Sequence, residues 1–381
     1  MKHMIKKIIF LTGTRADFGK LKPLIDRVNN SPHFECHVFV TGMHMLARYA
    51  VTKGTYREVE KQKYKNIFLF RNQGYETIPE KILSNTINGF SSYVKKIKPD
   101  LIVVHGDRIE ALSGAIVGAL NHILVAHIEG GEVSGSIDES LRHTVTKLSH
   151  IHFVSNKQAR KRLRQIGERK DSIFIIGSPD IEVMKTENLP SFKHVKDYYN
   201  IPFTKFAILL FHPITSEINT LKDQIKNVID AAIDSGDNYI VVYPNNDSGS
   251  EIILNEFKRI KSNSRFKIYP SLRFQYFLCV MKNSLYIIGN SSAGVREAEV
   301  YGIPAIDIGT RQHKRYHNKD IVHVSPERKK ILNGIKLVKS RKISPKIHFG
   351  EVVNSSREFY KILRNKSMWN MPVQKLFIDL D

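Results

Sequence analysis

Short apolar runs rich in Ile, Val and Phe recur through the first half of the chain: "KIIFLTG", "ECHVFVTG", "NIFLF", "DLIVVHGD", "ILVAHIEGG", "HIHFVS" and "SIFIIGSP". Most are separated by stretches that read as amphipathic helices, such as residues 17–30 and 77–97. Runs this uniformly apolar fit strands buried on both faces, and strands alternating with helices predict a mainly parallel sheet covered on both sides. Residues 1–185 are therefore read as one Rossmann-like domain.

Residues 186–204, "TENLPSFKHVKDYYNIPFT", carry two prolines and no convincing strand, and read as a linker with a short helix. A second series follows over 205–351: "FAILLFHP", "NYIVVYPNND", "SLYIIGNSS", "IPAIDIGT" and "DIVHVS". It repeats the architecture of the first half without repeating its sequence. The fold class expected is α/β, with two Rossmann-like doubly wound domains facing a cleft. Residues 352–381 complete the chain, with a closing helix at 352–366 and a tail, "MWNMPVQKLFIDLD", expected to be packed on a surface by Trp369 and Phe377.

Composition fits this picture. Of 381 residues, 41% are hydrophobic and 25% charged, as in a globular chain with room for two cores. No apolar run approaches the roughly 20 residues needed to cross a bilayer. "MIKKIIFLTGTR" turns polar too early for a secretory signal, so a cytoplasmic, soluble protein with no membrane partner is expected. Cys36 and Cys279 sit in apolar runs and read as buried reduced thiols. The net charge of +22 permits an anionic partner: nucleic acid, a membrane surface or a phosphorylated small molecule. The densest basic stretch, 328–346, places apolar residues at helical spacing and lacks interleaved aromatics. It reads as a solvated helix face, so no nucleic-acid partner is expected.

Ligands of open parallel sheets bind outside the carboxyl ends of strands, where the following helices point their N-termini. The unusual residues lie there: "TGTRADFGK", "TGMHM", "HGDRIE", "HIEGGE", "FHPITSE", "YPNNDSGSE", "GNSSAGVREAE" and "DIGTRQ". In "GNSSAGVRE", 289–297, small residues let an anion approach backbone N–H groups opening a helix, and Ser291 and Ser292 add hydroxyls. A simple N-cap by Ser292 is the alternative. Glu297, a turn and a half into that helix, could accept from both hydroxyls of a ribose, so the motif points to a nucleoside diphosphate. Arg15, Arg108 and Arg311 at other strand ends could neutralise it, although each alone could be a surface ion pair. No GxGxxG follows any strand and no GxxxxGK[ST] occurs, which argues against hydride transfer and P-loop phosphoryl transfer. The nucleotide is then part of the substrate: a nucleotide-sugar.

The segment "AHIEGGEVSGSIDESLRH", 126–143, concentrates acids in this basic chain. Asp138 and Arg142 share a helix face, as do Glu139 and His143; a helix start stabilised by acids is the simpler account. Glu129 and Glu132 follow the fifth strand, and Asp107 closes its neighbour. Asp107, Glu129 and Asp138 from adjacent strand ends would repel, raising at least one toward neutrality as an acid or base usable at pH 7. His212 in "LLFHP" is the counterpart in the second domain, and His44 in "TGMHM" is similar. A metal site from His44, His105, His127 and nearby acids would match no compact ligand spacing, so no metal is expected.

Together "TGTRADFGKLKPL", "TGMHM", "HGDRIEAL", "HIEGGEVSGSIDESLRH", "IGSPD", "FHPIT", "YPNND", "GNSSAGVREA" and "IGTRQ" resemble, in order from about residue 6 to 312, the hydrolysing UDP-N-acetylglucosamine 2-epimerases of bacterial sialic-acid synthesis. The resemblance implies a glycosyltransferase-B type fold and conversion of UDP-GlcNAc and water to ManNAc and UDP. It implies anti elimination of UDP to a glycal, then hydration. Asp107, Glu129, Asp138 and Arg142 match the family's catalytic residues, and His212 its "HP" histidine near the diphosphate. Substrate contacts would fall on Arg15, His44, Arg108, Asn245, Ser291, Ser292, Glu297 and Arg311. No cofactor and a homodimer are implied. "GTRADF" and "HGDR" resemble the hydrolysing branch rather than the non-hydrolysing one. Relatives acting on UDP-N,N'-diacetylbacillosamine share these motifs, and sugar transferases share the fold.

Overall fold

In a parallel sheet covered on both faces, successive side chains enter opposite cores, so the middle of a central strand is apolar at consecutive positions. The first strand obeys this rule: Ile8 and Phe10 join one core, Ile9 and Leu11 the other, and all four are buried. The computed structural model describes residues 5–49, 54–74, 78–186, 189–313, 315, 318–348, 350, 352 and 354–379. The chain divides into two units, one of Met1–Glu132, Asp138–Lys185 and Phe349–Asp381, the other of Val133–Ile137 and Thr186–His348.

The first unit holds β1 (Lys6–Thr12), β2 (Phe34–Val40), β3 (Asn66–Leu69), β4 (Leu101–His105), β5 (Leu124–Ile128), β6 (Ile151–Val154) and β7 (Ile173–Ile175). They form a seven-stranded sheet in the order β3-β2-β1-β4-β5-β6-β7, with parallel pairs throughout. Between them run α1 (Arg15–Asn29), α2 (Tyr56–Glu60), α3 (Pro79–Ile97), α4 (Ile109–Leu120), α5 (Ile137–Leu148) and α6 (Lys157–Gln165), and α7 (Pro179–Met184) follows β7. Phe18, Leu21, Leu24, Ile25 and Val28 of α1 cover one face, and Phe90, Ala111 and Ala115 of α3 and α4 cover the other.

The second unit holds β8 (Ala207–Leu210), β9 (Tyr239–Val242), β10 (Phe266–Tyr269), β11 (Ile287–Gly289), β12 (Ala305–Ile308) and β13 (Ile321–Val324), all parallel in the order β10-β9-β8-β11-β12-β13. β10 has no counterpart among the apolar runs read from sequence. It is an edge strand, which tolerates the half-buried Lys267. The helices are α8 (Phe192–Tyr199), α9 (Leu221–Asp234), α10 (Ser250–Phe257), α11 (Phe274–Lys282), α12 (Glu297–Tyr301) and α13 (Arg328–Lys339). The basic stretch is helical as far as Lys339, burying Ile331, Ile335 and Val338; residues 340–346 leave the helix before Pro345.

A last helix, α14 (Ser355–Leu363), belongs to the first unit, where Phe359 meets Phe10 and Phe153 at ring distances of 6.2 and 4.8 Å. Trp369 packs on Phe34. Phe377 does not pack as the sequence suggests: it is 88% exposed. The tail is held instead by Lys375, which donates to Glu168 and to the Ser149 carbonyl, each at 2.6 Å. A buried carboxylate and a carbonyl at a helix end attract an ammonium group more specifically than a flat surface attracts a ring. Cys36 and Cys279 are buried free thiols. Among the described residues, no helix is long and apolar enough to cross a membrane.

Candidate functional site

In the first unit the chemistry gathers at the ends of β4 and β5. Beyond β5, Glu129 adopts φ +64°, in the left-handed region that a residue with a Cβ rarely enters. Such strain persists only where the surroundings hold it, and it clusters at functional sites. Here the Glu129 amide donates to the Phe153 carbonyl at 2.9 Å, and the buried Ser178 hydroxyl donates to Oε1. His105, the last residue of β4, places Nε2 3.1 Å from Glu129 Oε2. Its other nitrogen, Nδ1, lies 2.8 Å from Asp17 Oδ1. Asp17 is set in the first turn of α1, where Oδ2 accepts from the Gly13 amide at 3.0 Å. Burial opposes charge on this ring, but the hydrogen bonds and charges of Asp17 and Glu129 outweigh it and raise His105 to about 9.

Asp107 follows the turn at Gly106 and pairs with Arg142 of α5. Arg142 is 1% exposed and also donates to the Glu132 carbonyl at 3.1 Å. Burial works against its charge, but Asp107, Glu132 and Asp138 more than offset that and raise its pKa. Asp138 occupies the first turn of α5, partly exposed. Arg142 stands against Asp107 and His105 against Glu129, and the cluster lifts the titration of both bases.

Arg15 opens α1 and pairs with Glu58 at 2.6 Å; Arg108 caps α4, its Nε 3.3 Å from Glu110 Oε2. His44 has no exposed surface, and its ring nitrogens meet the Thr12 and Thr55 hydroxyls at 3.2 and 2.8 Å. Burial pushes it down to about 4, so it is a neutral brace for the loop after β2. His127 donates from Nε2 to the Gly106 carbonyl at 2.7 Å and meets the Thr146 hydroxyl through Nδ1. Burial pushes it down to about 3, and it supports the turn that carries Asp107. The three histidines weighed for a metal site therefore have separate partners.

In the second unit Asn290, immediately after β11, clamps His212, which follows β8. Its Oδ1 accepts from the His212 amide at 2.7 Å and its Nδ2 donates to the His212 carbonyl at 2.8 Å. The Asn245 amide donates to His212 Nδ1 at 3.0 Å, so the neutral ring carries its proton on Nε2. Asn245 thus acts here through its backbone. Arg311 and Gln312 both donate to the Asn290 carbonyl, at 3.3 and 2.9 Å. Close by, the amide of Gly135 donates to the Arg311 carbonyl at 3.1 Å.

The serine motif also departs from expectation. Ser291, not Ser292, is the cap, accepting from the Ala293 amide at 3.3 Å, and it opens a single 3₁₀ turn, Ser292–Gly294. Glu297 is the first residue of the short α12 instead of lying well inside one helix. Glycine at 294 weakens the helix there, and the tighter turn takes its place. Ser291 and Ser292 remain partly exposed while Glu297 is buried.

Asp107, Glu129 and Arg142 are thus brought together in the first unit, and His212, Asn245 and Arg311 around Asn290 in the second. Sequence reasoning assigned no role to Asp17, Ser178 or Asn290. His105 appeared only as a possible metal ligand. "HGD" and "GNSS" carried the two signals that could have found His105 and Asn290.

Two parallel sheets with functional side chains at the carboxyl ends of their strands define a protein of glycosyltransferase-B type. The crystal structure of Methanocaldococcus jannaschii UDP-GlcNAc 2-epimerase, in complex with UDP-GlcNAc and UDP, shares this fold. Its TM-score is 0.78 at 22% identity, over 94% of this chain and 99% of that one. The chain belongs to the UDP-N-acetylglucosamine 2-epimerase family, whose sequence profile matches residues 26–364. It is 45% identical to a UDP-N-acetylglucosamine 2-epimerase of Neisseria meningitidis serogroup B, over 99% of this chain and 100% of the relative. It is 30% identical to a hydrolyzing UDP-N,N'-diacetylbacillosamine 2-epimerase of Legionella pneumophila, over 95% and 96%.

Proposed function

We propose that the chain is a hydrolysing UDP-GlcNAc 2-epimerase that converts UDP-GlcNAc and water to ManNAc and UDP, the first step of sialic-acid synthesis. The observation that carries this reading is the strand-end cluster in which Asp107 and Glu129 each stand against a cation, Arg142 and His105. Elimination needs a carboxylate to take the C2 proton while the C1–O bond to UDP breaks and its electron pair leaves with the diphosphate. Water then adds at C1, and a proton returns to C2 on the opposite face. Carbon keeps its overall oxidation state, so the reaction calls for no redox cofactor.

In this reading the second unit holds UDP. The His212 Nε2 proton, the partly exposed Ser291 and Ser292 hydroxyls, and Arg311 supply donors for a diphosphate. Arg15 and Arg108 lie at the strand ends of the first unit, paired with Glu58 and Glu110. Hydrolysis in place of reversible epimerisation is supported by the motifs "GTRADF" and "HGDR" and by the relative described as hydrolyzing.

The test is to incubate the protein with UDP-GlcNAc in D₂O and follow the sugar signals by NMR. ManNAc carrying deuterium at C2, formed with UDP, supports the reading. Accumulating UDP-ManNAc would make the enzyme non-hydrolysing, and free GlcNAc would rule out epimerisation. Faster turnover of the 4-acetamido-6-deoxy analogue in direct competition would shift the substrate to the diacetylbacillosamine sugar.

A further inference from the structure

His105 is set against a carboxylate at each ring nitrogen: Asp17 at 2.8 Å and Glu129 at 3.1 Å. The ring is hydrogen-bonded to Glu129 through Nε2 and lies within ion-pair distance of Asp17 at Nδ1, and a carboxylate facing each nitrogen favours the imidazolium form. Glu129 in turn receives the His105 ring on Oε2 and the Ser178 hydroxyl on Oε1. With a donor at each oxygen, Glu129 is the carboxylate form, which takes a proton and has none to give.

We propose that His105 is a positioning residue of the acid/base cluster: held charged by the ion pair with Asp17, its ring donates from Nε2 to Glu129, orients it and holds it ionised, which makes Glu129 the group that accepts the substrate's C2 proton. This rests on the reading of the chain as a UDP-sugar epimerase. The proton passes from C2 to Glu129, the C–H electron pair forms the C1–C2 double bond, and the C1–O pair leaves with UDP. His105 keeps its own proton throughout. Its side chain is only 10% exposed, so it acts through Glu129. The charged or titratable groups facing the ring are Asp17 from α1, Glu129 beyond β5 and the neutral His127 of β5.

The decisive variants are His105→Gln, which keeps a donor but loses the charge, and Asp17→Asn, which removes the brace. Each is expected to lower kcat by roughly a hundredfold, the lower range for disturbed acid/base catalysis. The KM for UDP-GlcNAc and the Kd for UDP should stay within about twofold, since the ground-state grip on the nucleotide is untouched. Without the cation, Glu129 protonates more readily, so the acidic limb of kcat/KM should move to higher pH. An unmoved limb, with the loss equal at every pH, would reduce His105 to a structural role and overturn the inference.

Histidine ¹⁵N spectra of the wild-type protein test the ring without turnover. Both His105 nitrogens should keep imidazolium shifts from pH 6 to 8; a neutral ring there sinks the inference. If the imidazolium is found but wild-type protein releases no UDP from UDP-GlcNAc, it is the functional reading that fails, and the role of Glu129 falls with it.

Discussion

Asn290 grips the backbone of His212 at both polar groups, its Oδ1 on the amide at 2.7 Å and its Nδ2 on the carbonyl at 2.8 Å. Both residues are buried, so the side-chain amide replaces the ladder bonds that end with β8 and β11. The histidine after β8 is therefore placed by a residue after β11, through contacts that local sequence does not show.

Asn290→Ala would leave both His212 backbone groups without that partner. Each buried orphan costs about 1–3 kcal/mol. The expected result is a fall in melting temperature of about 4 °C or more and at least about tenfold weaker UDP binding by calorimetry. Binding equal to wild type would mean that His212 needs no clamp.

Gly289 has φ +140°, and a Cβ there would lie 2.0 Å from the Leu210 carbonyl oxygen. Gly289→Ala must push β11 away from β8 beside the serine turn. We expect lower stability and loss of UDP binding together, whereas Gly294→Ala, whose Cβ meets nothing closer than 3.7 Å, should fold normally. A thermal melt and a UDP titration of both variants check this contrast.

Removing Arg142 strips Asp107 and the Glu132 carbonyl of a buried donor. Breaking a buried pair from one side costs about 3–5 kcal/mol, discounted here because Asp107 is partly exposed. Arg142→Met should therefore be destabilised in urea and lose at least about a hundredfold in turnover, and Arg142→Lys should recover stability better than activity. Equal recovery of both would argue against a catalytic orientation for this pair.

Stability should depend on pH in opposite directions on the two sides of neutrality. His44 and His127 are pushed down to about 4 and 3 from an ordinary 6.5, so unfolding takes up protons below pH 6.5. Their contribution is present above that value and is lost as the pH falls through the folded values. His105, raised to about 9, contributes fully below 6.5 and loses its contribution as pH rises through 9. Urea midpoints at pH 5, 7 and 9.5 should be highest near 7; a midpoint still rising at 9.5 would contradict the His105 contacts.

The tail offers a paired comparison. Phe377→Ser changes an exposed ring and should shift stability by no more than about 0.5 kcal/mol. Lys375→Met removes the donor to Glu168, whose carboxyl is otherwise held at about 2 by His152 and Lys375 against the opposing effect of burial. That variant should melt measurably lower, and proteolysis of the last residues should quicken. A larger effect from Phe377→Ser would restore the ring as the anchor.

Much of this was legible in the chain. A central parallel strand has no wet face, so its apolar run marks it without reference to neighbours, and the motifs that follow such runs mark the site. Asp107, Glu129 and Arg142 were singled out this way, and the fold pairs Asp107 with Arg142 and sets Glu129 against His105. β10 escaped because an edge strand can keep a lysine half-wet, and the helix expected across Ser291–Glu297 broke because a 3₁₀ turn competes with an α-helix where glycine interrupts the run.

Sequence by itself determined the two parallel-sheet units, the strand ends that carry chemistry and the concentration of acids near Glu129, because periodicity and turn residues act over a few positions. Only tertiary structure decided what each charged or polar group faces. Ser178 reaches Glu129 across 49 positions, and Asn290 reaches His212 across 78. Such pairings leave no periodic trace, since they arise when separate strands end side by side. Whether a histidine there is a buried neutral brace like His44 or a charged clamp like His105 depends on the partners the fold presents, hydroxyls in one case and carboxylates in the other.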